Sequence, residues 1–187
     1  ACTSYGTHLL WPFSSEPVAW NIIAIVDPLF TLALAIPLLI GLRRRGPIRV
    51  GIVLAFTYLL FGWVQHQRAE VVAYDLAAAR EHQPSQLIVK PTIGNQRLWR
   101  SIYIVGDSVY VDAGRVGNEP RIYLGQSTRL FDVDRDLAWA APTSRAHRDA
   151  VRFSRFARGF LAPTLGAPYF LGDIRYAMLP TRIEPLW

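Results

Sequence analysis

A carboxylate buried in a long apolar stretch is the feature of this chain that most demands a chemical reason. Between Val18 and Leu42 the only strongly polar side chains are Asn21 and Asp27. An acid inside a membrane-length segment costs roughly 3 kcal/mol on insertion scales and by default marks a function. Asp27 could ligate a metal, orient a ligand or carry a proton. Alternatively it lies near a helix start, hydrated at the interface, and caps or pairs locally. Pro28 follows it and loosens the local hydrogen-bond ladder. His8 closes the run Thr3-Ser4-Tyr5-Gly6-Thr7-His8, where hydroxyls, a glycine and an imidazole gather. Such a set could hold a metal or a substrate phosphate, although a lone interfacial histidine is more often solvated.

Further along, Pro91-Thr92-Ile93-Gly94-Asn95 with Trp99-Arg100, and Gly172-Asp173-Ile174-Arg175-Tyr176, are compact polar clusters beside strand-like runs. Asn95, Arg100, Asp173 and Arg175 are candidate substrate-binding residues, as is Tyr5. Asp173 and Arg175 alternate onto one strand face and could line a cleft, a structural ion pair being the plainer reading. Arg145, Arg148, Arg152, Arg155 and Arg158 make one flank of a later helix basic. That flank suits anionic lipid headgroups or a phosphate-bearing substrate, or is a solvated face balanced by Asp132, Asp134 and Asp136. Nucleic acid is not expected as a partner, because no exposed stacking aromatics interleave with the basic residues. No HExxH, CxxC pair, phosphate-cradling glycine loop or GxSxG elbow occurs.

The elements that must position these groups begin in lipid. The chain has 187 residues, 51% hydrophobic and 18% charged, too apolar for an ordinary soluble domain. Val18 to Leu42 is long enough to cross about 30 Å of hydrocarbon. Val50 to Val64 carries no charge, and Arg49 and His66 can snorkel from its ends. The expectation is a membrane region over residues 1–66, with an interfacial segment at 1–17 and membrane helices at 18–42 and 49–66. Tyr5, Trp11, Phe13 and Trp20 are the amphipathic rings favoured at an interface. Neither apolar run has the form of a cleavable signal peptide.

The formal charge is +6, from 20 basic residues that are all arginine except Lys90. Arg43, Arg44, Arg45 and Arg49 crowd the turn between the two apolar runs, which should therefore be cytoplasmic. Two crossings would put the C-terminal part on the other side, the periplasm of a Gram-negative host. Cys2 has no partner in the sequence, so cysteine usage does not report the redox compartment. A chain that opens at Ala1 without methionine suggests a fragment truncated mainly at its front.

Residues 67–187 read as an extramembrane α+β domain. Gln67 to His82 is rich in helix formers, with Ala69, Val72, Leu76 and Ala79 at helical spacing, and should continue the membrane helix as a stalk. Leu87 to Thr92, Ile102 to Val105, Val109 to Val111, Arg121 to Leu124 and Tyr169 to Met178 are strand candidates. Gly106-Asp107 makes a tight hairpin between two of them. Thr143 is expected to cap a helix running to about Phe160, whose Ala146, Ala150, Phe153, Phe156 and Phe160 form an apolar stripe. The fold class is thus an α+β membrane protein: two transmembrane helices, then a small, mostly antiparallel sheet with one or two helices.

At Thr3-Ser4-Tyr5-Gly6-Thr7, Leu10-Trp11-Pro12-Phe13 and Ile25-Val26-Asp27-Pro28-Leu29-Phe30-Thr31-Leu32 the sequence resembles the YdjM-like, LexA-regulated family of bacterial inner-membrane proteins regarded as metal-dependent hydrolases. The likeness extends through Pro91 to Arg100, the basic helix and Asp173-Ile174-Arg175. The family is thought to be distantly similar to zinc-dependent phospholipase C and related helical nucleases. The resemblance implies a membrane-bound hydrolase that uses a divalent metal, zinc in the first instance, on an ester or phosphoester, with membrane lipid as partner. The family's histidine-rich metal motifs lie upstream of the Thr-Ser-Tyr-Gly stretch, where this sequence has nothing. Asp27 matches a recurrent family aspartate, and His8 stands where the family often has glutamine. On this reading Asp27 is the catalytic candidate, and His8 and Asp27 are the metal candidates. The rival expectation is a non-catalytic membrane protein whose outer domain binds a partner or lipid headgroups through its basic helix.

Overall fold

A computed structural model describes residues 2–3, 6–14, 16–41, 45–164, 167–177 and 179–184. Tyr5 and Ser4, the arginines at 43 and 44, and Met178 lie outside the described residues. The chain divides into two compact units, residues 1–76 with 89–100 and 114–121, and residues 77–88 with 101–113 and 122–187.

The first unit opens with a loop closed by paired hydrogen bonds between Thr7 and Val18, the two amides donating across at 3.0 and 2.9 Å. Helix α1 then spans Pro28–Gly41 and helix α2 spans Arg45–Ala79. The expected first membrane helix over 18–42 is corrected here, because residues 18–27 are not helical. Pro28 disfavours helical backbone at the residue before it and suits the first helical position, so the helix starts where the proline stands. With 14 residues, α1 is about 21 Å long, short of a bilayer core. Its count of crossings changes accordingly: among the described residues one helix, Gly46–Ala79, is long and apolar enough to span a membrane, not two. That helix includes the expected second crossing and runs on without a break through the expected stalk.

Small residues let α1 and α2 approach closely. A Cβ on Gly51 would stand 2.8 Å from Pro37 Cβ, and one on Gly41 would stand 2.5 Å from the Ile48 side chain. The buried positions of α2 include Gly51, Ala55, Gly62, Ala69 and Ala73, with Leu76 and Val72 only half-buried. Small-residue seams of this kind are how helices associate where lipid supplies no hydrophobic drive. On the other faces Leu29, Leu39, Val53, Phe56 and Leu60 are exposed. Exposed apolar side chains in such number suit a hydrocarbon solvent rather than water.

Strands β1 (Gln86–Pro91), β2 (Leu98–Val105), β3 (Ser108–Arg115) and β4 (Arg121–Tyr123) line up in that order in one sheet, and β5 (Ser127–Arg129) pairs antiparallel with β3. Gly106 and Asp107 form the two-residue turn of the β2–β3 hairpin, Gly106 supplying a φ of 55° that costs glycine nothing. Helix α3 (Val133–Asp136) and helix α4 (Arg145–Ala157) follow, then the antiparallel pair β6 (Leu161–Thr164) and β7 (Ala167–Asp173). The core of the second unit gathers Ile102, Ile104, Val109, Val111, Phe160, Ala162, Ile174 and Ile183. The α+β class and the antiparallel sheet agree with the sequence reading.

Helix α4 starts one residue later than expected. Ser144, not Thr143, is its N-cap, its hydroxyl accepting from the His147 amide, and Arg158 ends it in the left-handed conformation. Ala150 and Ala157 are buried along it, whereas Phe156 is exposed and Phe160 lies beyond the helix at the head of β6.

Candidate functional site

The first unit assembles a buried polar cluster around Asp27. Its carboxylate is 5% exposed and caps α1, Oδ1 accepting from the Phe30 amide at 3.0 Å, while Thr31 donates to its carbonyl. That is N-cap geometry with proline at the next position. Its second oxygen accepts from the Tyr58 hydroxyl at 2.8 Å, so α2 holds the cap from the side. The Pro91 to Arg100 segment closes over this turn. The Gly94 amide donates to the Val26 carbonyl at 3.2 Å, and Gly94, at a φ of 59°, stands so near that a Cβ would meet Pro28 at 3.2 Å.

Gln96 is the hub of the same region. Its Nε2 donates to the Ile22 carbonyl at 3.0 Å, and its own carbonyl accepts from Gln65 Nε2 at 3.1 Å and from Trp99 Nε1 at 3.0 Å. Its Oε1 is buried with no hydrogen-bond partner among the described residues, an arrangement that costs about 1–3 kcal/mol when left unmet. Gly62 makes this contact possible, because a Cβ there would lie 2.5 Å from the Ile22 carbonyl oxygen. His66, one position beyond Gln65, is also buried: its Nε2 lies 3.1 Å from the Val89 carbonyl and its ring meets Trp99 edge-on. The carbonyl fixes the proton on Nε2, since only a donor fits opposite an oxygen.

The sequence candidates fare differently. Asp27 and the segment carrying Asn95 and Arg100 come together. Asn95 itself shapes the turn, its Oδ1 accepting from the Arg97 and Leu98 amides at 2.7 and 3.0 Å. Arg100 is 3% exposed in β2, and burial lowers its guanidinium to about 10. His8 is exposed in the N-terminal turn. Asp173 and Arg175 lie in the second unit. They do not share a strand face, because β7 ends at Asp173. They form an ion pair, Arg175 Nε lying 2.9 Å from Asp173 Oδ1, and the Phe156 carbonyl accepts from the same guanidinium. Burial pulls Arg175 down, but the Asp173 carboxylate outweighs it and the net direction is up.

Sequence reasoning did not single out Tyr58, Gln65 or Gln96. The signal was there for two of them: Tyr58, Gly62, Gln65, His66 and Ala69 recur at helical spacing on one face of an apolar helix. A polar side chain on such a face is a site candidate in its own right.

What the cluster can do chemically is bounded by its donors. A catalytic zinc takes three protein ligands. Among the described residues no three His, Cys, Asp or Glu side chains gather to hold a metal. Asp27 already accepts from an amide and a hydroxyl on its two oxygens. The described residues therefore do not by themselves fit a zinc site. They build a fixed, acceptor-only carboxylate beside a tyrosine hydroxyl. Asp27→Ala is expected to lower stability by about 2 kcal/mol through the lost cap, and Tyr58→Phe by about 1 kcal/mol through the lost hydrogen bond. Thermal unfolding of the purified protein checks both, and equal melting of wild type and Asp27→Ala would show that the cap holds nothing.

A comparison with family models matches residues 1–69 to one described as the YdjM inner membrane protein. The resemblance read at Thr3 to Leu32 agrees with this match over those residues. No curated protein and no solved structure matches it.

Proposed function

We propose, from the match of residues 1–69 to the YdjM inner membrane protein model, that the chain belongs to a membrane-bound hydrolase acting on an ester or phosphoester at the bilayer surface. The observation that carries this reading is Asp27. It lies within the residues matched to the family model, is buried at the start of α1 and is held on both oxygens. A carboxylate locked this way is pre-oriented, which is what a positioning role requires. The metal expected of the family would draw its ligands from outside the described cluster, so Asp27 supports the site and no step is assigned to the metal.

In the same reading the arginine-rich turn around Arg45 and Arg49 faces the cytoplasm. On this reading α2 leads from that turn to the periplasmic side, where the chain beyond it lies, and lipid is the partner. The exposed apolar faces of α1 and α2 favour a hairpin in which α1 enters the bilayer beside α2.

The test is made on the purified protein in lipid nanodiscs with divalent metal supplied. Stoichiometric divalent metal and ester or phosphodiester hydrolysis that falls about a hundredfold in Asp27→Asn support the reading, a loss in the range of a misplaced catalytic group. Metal-free protein with activity unchanged in Asp27→Asn removes it. The rival, a non-catalytic lipid- or partner-binding protein, is then what remains.

A further inference from the structure

Helix α4 carries a strongly basic face. At 100° per residue, Arg145, Arg148, Arg152 and Arg155 fall within an arc of about 80°, and Phe156, 62% exposed, projects beside them. The opposite side buries Ala150 and Ala157. Two of the three acids that could have balanced this face are engaged elsewhere. Asp136 pairs with Arg129 at 2.6 Å and with Arg135 at 3.1 Å, and Asp132 caps α3. On α4 itself Asp149 reaches Arg145 alone, at 3.4 Å with both side chains exposed. Arg148 donates to the Thr143 carbonyl, and among the described residues Arg152 and Arg155 have no ion-pair partner. In the loop leading into the helix, Trp139 is 78% exposed.

Arginine forks match phosphate geometry, and an exposed phenylalanine amid them gains nothing from water. An amphipathic helix with arginines on its polar face and aromatic rings at its border is the form that lies in a headgroup layer. We propose that the Arg145 to Phe156 face of α4 docks on an anionic bilayer surface, its arginines on lipid phosphates and Phe156 at the acyl boundary. Charge complementarity selects this occupant, and a protein already held in a membrane meets it at high effective concentration. The proposal rests on membrane residence and is independent of any hydrolytic activity.

Hydrogen exchange of the full chain in lipid nanodiscs tests it. In discs containing about one-third phosphatidylglycerol, the α4 amides should exchange roughly tenfold more slowly than in phosphatidylcholine discs, with the gain lost at high salt. The combined substitution Arg148→Gln, Arg152→Gln and Arg155→Gln should abolish the gain while β2 and β3 amides keep their protection. If that variant does not fold, the lipid and salt series on the unmodified protein decides alone. Equal exchange in the two disc types overturns the proposal. So does equal protection of α4 in phosphatidylcholine discs on adding inorganic phosphate, which would make the face a soluble-anion site.

Discussion

Replacing Asp112 by alanine should destabilise the second unit by about 3 kcal/mol, the lower end of the cost of breaking a buried ion pair. Asp112 is 1% exposed in β3 and accepts from both Arg80 guanidinium nitrogens, at 2.7 and 3.0 Å. It also accepts from the Gly125 amide at 2.9 Å. Arg80 in turn donates to the Tyr103 hydroxyl at 2.6 Å, and His82 Nδ1 lies 3.1 Å from that same oxygen. Tyr110 stacks on Tyr103 with centroids 5.1 Å apart. Hydrogen bonds to the Asp112 carboxylate hold Arg80 well above its ordinary value, and burial raises Tyr103. The whole cluster therefore leans on one carboxylate. Removing it takes from the Gly125 amide its acceptor, while Arg80, with a side chain 26% exposed, can rehydrate. That difference is why the lower end is expected. Asp112→Asn keeps one acceptor and should cost less than alanine. Denaturant unfolding with hydrogen exchange at β2 and β3 reads the effect, and a loss under about 1 kcal/mol would reduce the pair to a surface contact.

How much of this was legible beforehand follows from what each signal depends on. The hairpin turn at Gly106-Asp107 and the strands beside it were readable because turn chemistry and period-2 patterning are local. The extent of the first apolar segment was not, because hydropathy alone does not register that Asp27-Pro28 is a helix start. Composition said lipid, whereas backbone geometry set the length. The pair Asp173 and Arg175 was foreseen, but its face was not, since the strand ends one residue too early for alternation to apply. Asp27 was found by its cost in an apolar run. Its surroundings were hidden because Tyr58, which donates to it, and Gln96, which holds Ile22, lie 31 and 69 residues away in sequence, and only the close approach allowed by Gly62 and Gly94 brings their segments together. The balance of the basic helix could not be decided from charge counts, because Asp132 and Asp136 turned out to serve α3.

The other large effect is expected at Trp99, whose indole closes the first unit's polar cluster. Trp99→Ala removes a side chain that is 1% exposed, and large-to-small changes of this kind cost about 3–5 kcal/mol. Two separate contributions meet in that figure. The ring fills the space beside His66, 5.6 Å between centroids in an edge-on arrangement, and its N–H donates to the Gln96 carbonyl. Trp99→Phe separates them. It keeps most of the apolar volume and loses the hydrogen bond, leaving Gln65 as the remaining donor to that carbonyl, so a loss of about 1–2 kcal/mol is expected. Because Gln96 also reaches the Ile22 carbonyl, loosening it should free residues 22–27 and the Asp27 cap with them. Thermal unfolding of the two variants, read together with hydrogen exchange at Phe30 and Thr31, tests the linkage. Destabilisation by Trp99→Ala with unchanged exchange at those two amides would mean that the indole supports its strand alone and that the Asp27 site is held without it.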